Sequence, residues 1–229
     1  MVNKQTKFFD CNYPQGREEV QADYCESLDD FVVKVCEKFG VDSDKFRYGF
    51  DIHDDKEKFR ESHGMSKEDY KDWMVGLASR EDKTIRILTP EVAGRTTESM
   101  KAVAKHEVVH ALSDCYELGN NKDPFTSEGL ALYLSGQYKE ETRIQQINET
   151  SFPKISELSD NKTFAQSGGY LFAGIYVGYF IETQGGVEAF KNVIACKENF
   201  ADIINEADAI KWYLNKFKQI PVTQQGSEK

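Results

Sequence analysis

The sequence predicts an α+β domain: a small mixed sheet with its helices comes first, and a mainly helical half follows. Three observations carry this. Phe46, Tyr48, Phe50 and Ile52 alternate with polar residues, the period of a half-buried strand. Two further short strands are predicted near 74–79 and 84–88, joined by the charged turn Arg80 to Lys83. From residue 165 onward the pattern is helical, with predicted helices at 165–184, 187–197, 200–206 and 207–218. The 229 residues suffice for one domain with its own core, or two closely packed lobes around a cleft, and 39% hydrophobic with 30% charged residues is a globular composition.

In chain order, residues 1–20 are polar and read as an irregular arm. Leu28, Phe31, Val32, Val35 and Phe39 recur at helical spacing and Gly40 is a natural stop, which predicts a first helix over 22–39. After the strand at 46–52, His53 and His63 flank a charged helical piece, Asp54 to Ser62, and read as surface histidines. Ser66 and Asp69 form a capping-box-like start for a short helix through Trp73. Between the helical segments, 136–162 is polar, contains Pro153 and is expected to cover the surface or rim the cleft; the tail 224–229 is expected to fray. The expected organisation is a single domain over 1–229, with an arm (1–20), an α/β lobe (21–115) and a helical lobe (116–220).

Chemistry concentrates in Lys105-His106-Glu107-Val108-Val109-His110-Ala111, which contains His-Glu-x-x-His. Residues four apart stack on one helix face, so His106 and His110 can present two imidazole nitrogens to one ion. Glu107 is turned by about 100° from His106, off the metal but beside the open coordination position, where a carboxylate can take a proton from a bound water. A chance occurrence in a chain of this length is roughly a one-per-cent event. The surroundings are helical. Thr97 is a plausible N-cap, Glu98 suits the positive end of the dipole, and Met100, Val103, Ala104, Ala111 and Leu112 make an apolar stripe.

A catalytic zinc needs a third protein ligand. The candidate is Glu128, 128 − 110 = 18 positions beyond His110, in a second predicted helix where Phe125, Leu130, Leu132 and Leu134 surround a lone acid. Such an acid is costly to bury unless it meets a cation. Two histidines and a glutamate leave the fourth position for water, the pattern of a catalytic rather than a structural zinc.

His-Glu-x-x-His followed by a helix carrying Glu128-Gly129-x-Ala131-x-Tyr133 resembles the gluzincin metallopeptidases, the clan of thermolysin and the zinc aminopeptidases, and most closely its peptidase MA-like members. Tyr170-Leu171-Phe172-Ala173-Gly174-Ile175-Tyr176-Val177-Gly178-Tyr179-Phe180-Ile181-Glu182 is similar to the helix that follows the metal helices there, and 73–79 and 84–90 resemble the last two strands before the active-site helix. The resemblance spans about residues 45 to 215 and implies a zincin (thermolysin-like) fold with one zinc held by His106, His110 and Glu128. It implies Glu107 as general base and Tyr170 as the oxyanion donor, with Tyr176 and Tyr179 as alternates, and it gives Asp114 a supporting role one turn after His110. Ser127 stands where the aminopeptidases have asparagine, and the spacing to Glu128 is slightly shorter than in thermolysin. Gly76-Leu77-Ala78-Ser79 lies where a substrate-aligning edge strand is expected but carries no acid to hold a free amino terminus, which favours cleavage within peptides.

The expected function is therefore a zinc-dependent peptidase, an endopeptidase acting on peptide or protein substrates. The alternative is a zinc-binding, catalytically weak peptidase-like protein that serves in binding or interaction. A formal net charge of −10 argues against nucleic acid or an anionic membrane surface as partner, and no apolar run has the length of a membrane span. The five cysteines, Cys11, Cys25, Cys36, Cys115 and Cys196, are odd in number and contain no Cys-x-x-Cys pair. They read as buried free thiols, with a disulfide among the first three open to an exported protein. Met1 to Asp10 hold no hydrophobic signal core, which predicts a cytoplasmic protein, or an exported one if a leader has been removed.

Overall fold

The computed structural model describes all residues except 1, 17, 119–122, 141–146, 148–151 and 218–229. The expectation for the tail lies outside the described residues. The chain forms two compact units, residues 1–121 and 122–229.

In the first unit, β1 (Val2–Gln5) and β2 (Phe9–Tyr13) form an antiparallel hairpin, and α1 (Glu18–Phe39) carries the chain over to β3 (Tyr48–His53). Strand β3 runs parallel to β2, with Phe9 opposite Tyr48 and Cys11 opposite Phe50. After α2 (Lys56–Ser62), β4 (Gly76–Ser79) and β5 (Thr84–Leu88) complete a five-stranded mixed sheet in the order β1-β2-β3-β5-β4, with β5 parallel to β3 and antiparallel to β4. Two helices follow, α3 (Pro90–Ala93) and α4 (Thr97–Tyr116).

Alternation sets which sheet face is dry. Phe9, Cys11, Tyr13, Tyr48, Phe50, Ile52, Ile85 and Ile87 are buried, as are Leu28, Val32, Val35 and Phe39 of α1 and Met100, Ala104, Val108, Ala111 and Leu112 of α4. Each large apolar side chain buried here contributes about 1.5–3 kcal/mol. Gly40 ends α1 in the left-handed region, φ 65°, as its position predicts.

The N-terminal residues are no irregular arm. Phe9, Cys11 and Tyr13 face inward between polar residues, and the turn before them is fixed by Asp29 of α1, which accepts from Thr6 Oγ1 (2.8 Å) and the backbone N–H of Lys7 (2.8 Å) and Phe8 (3.2 Å). Residues 66–73 form turns rather than the expected helix. Ser66 Oγ does bond Asp69 (2.6 Å) and accept its N–H (3.2 Å), yet no apolar stripe follows to offset the cost of nucleating a helix.

The second unit is helical throughout its described residues: α5 (Pro124–Ser135), a 3-10 turn at Gln137–Lys139, α6 (Ile155–Leu158), α7 (Gly169–Thr183), α8 (Gly186–Cys196), α9 (Phe200–Ile203) and α10 (Glu206–Phe217). Helix α7 is its core, with Phe172, Ala173, Ile175, Tyr176, Val177, Phe180 and Ile181 all buried. Phe125, Phe180 and Phe190 surround Phe200 at centroid distances of 5.7, 5.2 and 5.5 Å. The polar 136–162 stretch is not all surface cover, because Gln137, Tyr138, Ile155 and Leu158 are buried. The α+β class and small mixed sheet are as predicted. Among the described residues no helix is long and apolar enough to cross a membrane.

Candidate metal centre

The N-cap of α4 is Thr96, one residue before the predicted Thr97, with its hydroxyl accepting from Ser99 N at 3.2 Å. The stripe Met100, Val103, Ala104, Ala111 and Leu112 is buried, which fixes the rotation of the helix about its axis. That rotation leaves His106 and His110 half-buried. Their rings lie 4.7 Å apart at 73°, and the two Nε2 atoms face each other at 3.0 Å. Two nitrogens bound to one tetrahedral zinc at about 2.0–2.1 Å are about 3.3 Å apart, so the pair is close to ligating geometry already.

Helix α5 starts at Pro124, the first-turn position proline suits, with Asp123 as N-cap accepting from Phe125 N at 3.1 Å. Glu128 lies in its second turn, half-buried. Each of His106, His110 and Glu128 offers one ligand atom, and these three atoms lie within 4.8 Å of one another. They are the only group of three or more histidine, cysteine or acidic side chains so placed among the described residues, and they could hold a metal ion. Two imidazole nitrogens and one carboxylate oxygen, with no thiolate, suit zinc at a site that keeps a position open.

Glu107 is 7% exposed. Its neighbour is the backbone of β4: a Cβ placed on Gly76 would stand 2.7 Å from Val103 Cγ1 and 3.3 Å from Glu107 Oε1. Only glycine lets this strand pass so close to the carboxylate. Strand β4 is the edge of the sheet, so the side turned away from β5 has no strand partner among the described residues.

Glu128 is positioned by its neighbour in sequence. A Cβ on Gly129 would meet Val177 Cγ2 at 2.6 Å and the Ala173 carbonyl oxygen at 2.9 Å, so α5 and α7 touch backbone to backbone. Gly174 and Gly178 make the matching approaches, to Leu132 Cβ (2.7 Å) and Tyr133 Cδ2 (2.7 Å). In the sequence Gly174 and Gly178 interrupt the apolar run from Tyr170 to Ile181, and a glycine inside a strongly apolar helix is a signal for close packing.

Of the tyrosines, Tyr170 lies in the first turn of α7, 37% exposed, with its ring edge-on to Phe164 at 5.0 Å. Tyr176 is fully buried and donates to the Pro153 carbonyl (2.8 Å), which commits its hydroxyl elsewhere. Tyr179 packs on Trp212 at 5.8 Å. Asp114 is half-buried, one turn after His110.

His53 and His63 are half-buried rather than surface residues, because both rings pack edge-on to the buried Phe59, at 5.9 and 4.9 Å. Burial, with Arg86 close by, pushes both imidazoles below their ordinary range, His63 to about 4. Neither belongs to the metal-ligand group. Cys11, Cys25 and Cys36 are buried free thiols as expected, whereas Cys115 and Cys196 are exposed because they sit at the last turns of α4 and α8.

No protein-family model and no curated protein matches the chain.

Proposed function

We propose that the protein is a zinc-dependent peptidase of the gluzincin kind, with a zincin fold, that hydrolyses bonds within peptides. The observation that carries this reading is the convergence of His106, His110 and Glu128 ligand atoms within 4.8 Å, with Glu107 as the next residue on the same helix. A zinc bound there would polarise the scissile carbonyl and bring the pKa of a bound water toward neutrality.

The chain's own residues do the rest. Glu107 accepts the proton of the attacking water and delivers it to the leaving amine. Its burial beside Gly76 keeps the carboxylate in one place and limits competing bulk water. The edge of β4 offers N–H and C=O groups to an extended peptide, and without an acid among Gly76–Ser79 it has nothing to select a free amino terminus. Tyr170, exposed at the start of α7, is assigned to the oxyanion.

The test is cleavage of a mixed peptide library by the wild type and by Glu107→Gln, with zinc measured in both. Cleavage by the wild type alone, with about one zinc in each, is the expected result. Zinc in both and cleavage by neither would favour a metal-binding protein without turnover, and no zinc in either sinks the assignment.

A further inference from the structure

Helix α2 is held to the sheet around two histidines that have no acceptor for an added proton. His53 ends β3 and His63 caps the C-terminus of α2, and both rings stand edge-on to Phe59 of α2, at 5.9 and 4.9 Å. Phe59 is 1% exposed. The Nε2 atom of each ring is buried and makes no hydrogen bond to any described residue. An imidazolium carries a proton on both nitrogens, so protonation of either ring leaves a buried Nε2–H without a partner, at a cost that only hydration can remove.

The charges around the rings are already committed to one another. Asp51 lies two residues before His53, on the same face of β3, and Arg86 of β5 is directly opposite Asp51. The Arg86 guanidinium pairs with Asp82 (3.3 Å from Nη1) and lies 3.9 Å from Asp51, whose other oxygen accepts from Asn12 at 2.7 Å. On α2, Arg60 is paired with Glu57 (3.0 Å) and Glu61 (3.1 Å), and Asp55 caps the helix by accepting from Lys58 N at 2.9 Å. Asp54 is exposed, and Gly76–Ser79 of β4 carry no charge. Neither ring therefore has a carboxylate of its own. Burial, and then Arg86 and the other histidine, hold His63 to about 4; burial likewise lowers His53.

The same helix tethers the chain that leads to the candidate metal centre. Arg60 donates to the Met65 carbonyl, Lys56 pairs with Asp72 at 3.1 Å, and Tyr70 packs on Phe59 at 6.3 Å while its hydroxyl donates to the Met74 carbonyl at 3.3 Å. Two residues later the chain enters β4 at Gly76, against Glu107. We propose that α2 and residues 63–75 form an acid-released latch: protonation of His53 and His63 lifts this segment off the sheet while α1, α4 and β5 stay folded, and β4 loses its N-terminal tether. Lifting hydrates both rings and unseats Phe59 in one step.

The size of the effect follows from linkage. With His63 at its ordinary 6.5 in the open form and about 4 in the closed one, the equilibrium constant for opening rises about twentyfold between pH 7 and pH 5 through this residue alone, and His53 adds to it in the same direction. The latch rests on the packing of α2 and not on the metal site.

The test is hydrogen–deuterium exchange of the full chain, read by mass spectrometry at pH 7, 6 and 5 and corrected for the pH dependence of intrinsic amide exchange. Expected is a loss of protection confined to residues 56–75, at least tenfold from pH 7 to pH 5, with α1 and α4 unchanged. In the double variant His53→Gln, His63→Gln the protection of 56–75 should no longer vary with pH. Protection of 56–75 in the wild type that stays constant over this range, a loss shared equally by α1 and α4, or a pH dependence that survives in the double variant overturns the proposal. The wild-type profile decides even if the double variant fails to fold.

Discussion

Gly129→Ala puts the contact between α5 and α7 to the most direct test. In an exposed helix interior the change from glycine to alanine stabilises by about 1 kcal/mol, because alanine loses less backbone entropy. Here the added methyl would stand 2.6 Å from Val177 Cγ2 and 2.9 Å from the carbonyl oxygen of Ala173. The valine can change rotamer; the carbonyl belongs to the backbone of a buried helix and cannot. Restoring ordinary contact near 3.4 Å requires the helices to part by roughly half an ångström, which loosens the Leu132–Gly174 and Tyr133–Gly178 contacts as well. Overpacking of this kind costs about 1–3 kcal/mol, and subtracting the propensity gain of about 1 kcal/mol leaves a destabilisation of up to about 2 kcal/mol, opposite in sign to the propensity effect. Urea unfolding in a Trp73→Phe background would report on this unit through Trp212, which packs on Tyr179. A lower midpoint at unchanged slope is expected. A midpoint raised or unmoved by Gly129→Ala would refute the backbone-to-backbone contact.

Gly76→Ala should push Glu107 away from its place and lower kcat at least tenfold while zinc content stays near one per chain, since the atoms nearest the new methyl belong to Val103 and Glu107; equal loss of zinc and activity would contradict this. Tyr170→Phe should reduce kcat/KM by about 10²–10³ with zinc retained, the loss expected for one oxyanion donor, and wild-type kinetics would remove the residue from the mechanism. His63 titrates at about 4 in the folded chain against an ordinary 6.5. The folded state therefore resists its protonation, and stability should be unaffected above about pH 6.5, fall as pH drops from there toward 4, and change no further through this group below. Unfolding midpoints across that range should decline less steeply in His63→Gln, and an unchanged slope would show the imidazole to be better hydrated than its packing on Phe59 indicates.

The grouping of His106, His110 and Glu128 was legible because each part is written locally. A helix places residues four apart on one face whatever surrounds it, and a lone acid such as Glu128 in an apolar helix demands a cation. Helix α1 and strand β3 were legible for the same reason, through period and a glycine stop. The N-terminal hairpin was not, because β1 exposes alternate polar residues and β2 is only five residues long; its place depends on Asp29, which is far along the chain. Burial of His53 and His63 depends on Phe59 sitting between them, a tertiary fact with no sequence period. The roles of Gly76, Gly129, Gly174 and Gly178 likewise become visible only when the backbone opposite each one is known.

Zinc K-edge absorption on the zinc-loaded protein examines the central claim most directly, since it reads the ligand atoms themselves. The account predicts one zinc with nitrogen and oxygen neighbours only, at about 2.0–2.2 Å, including the outer-shell scattering of two imidazoles, and loss of tight binding in Glu128→Ala. A sulfur neighbour at about 2.3 Å, or failure to retain zinc at all, would contradict it, because no cysteine belongs to the group formed by His106, His110 and Glu128.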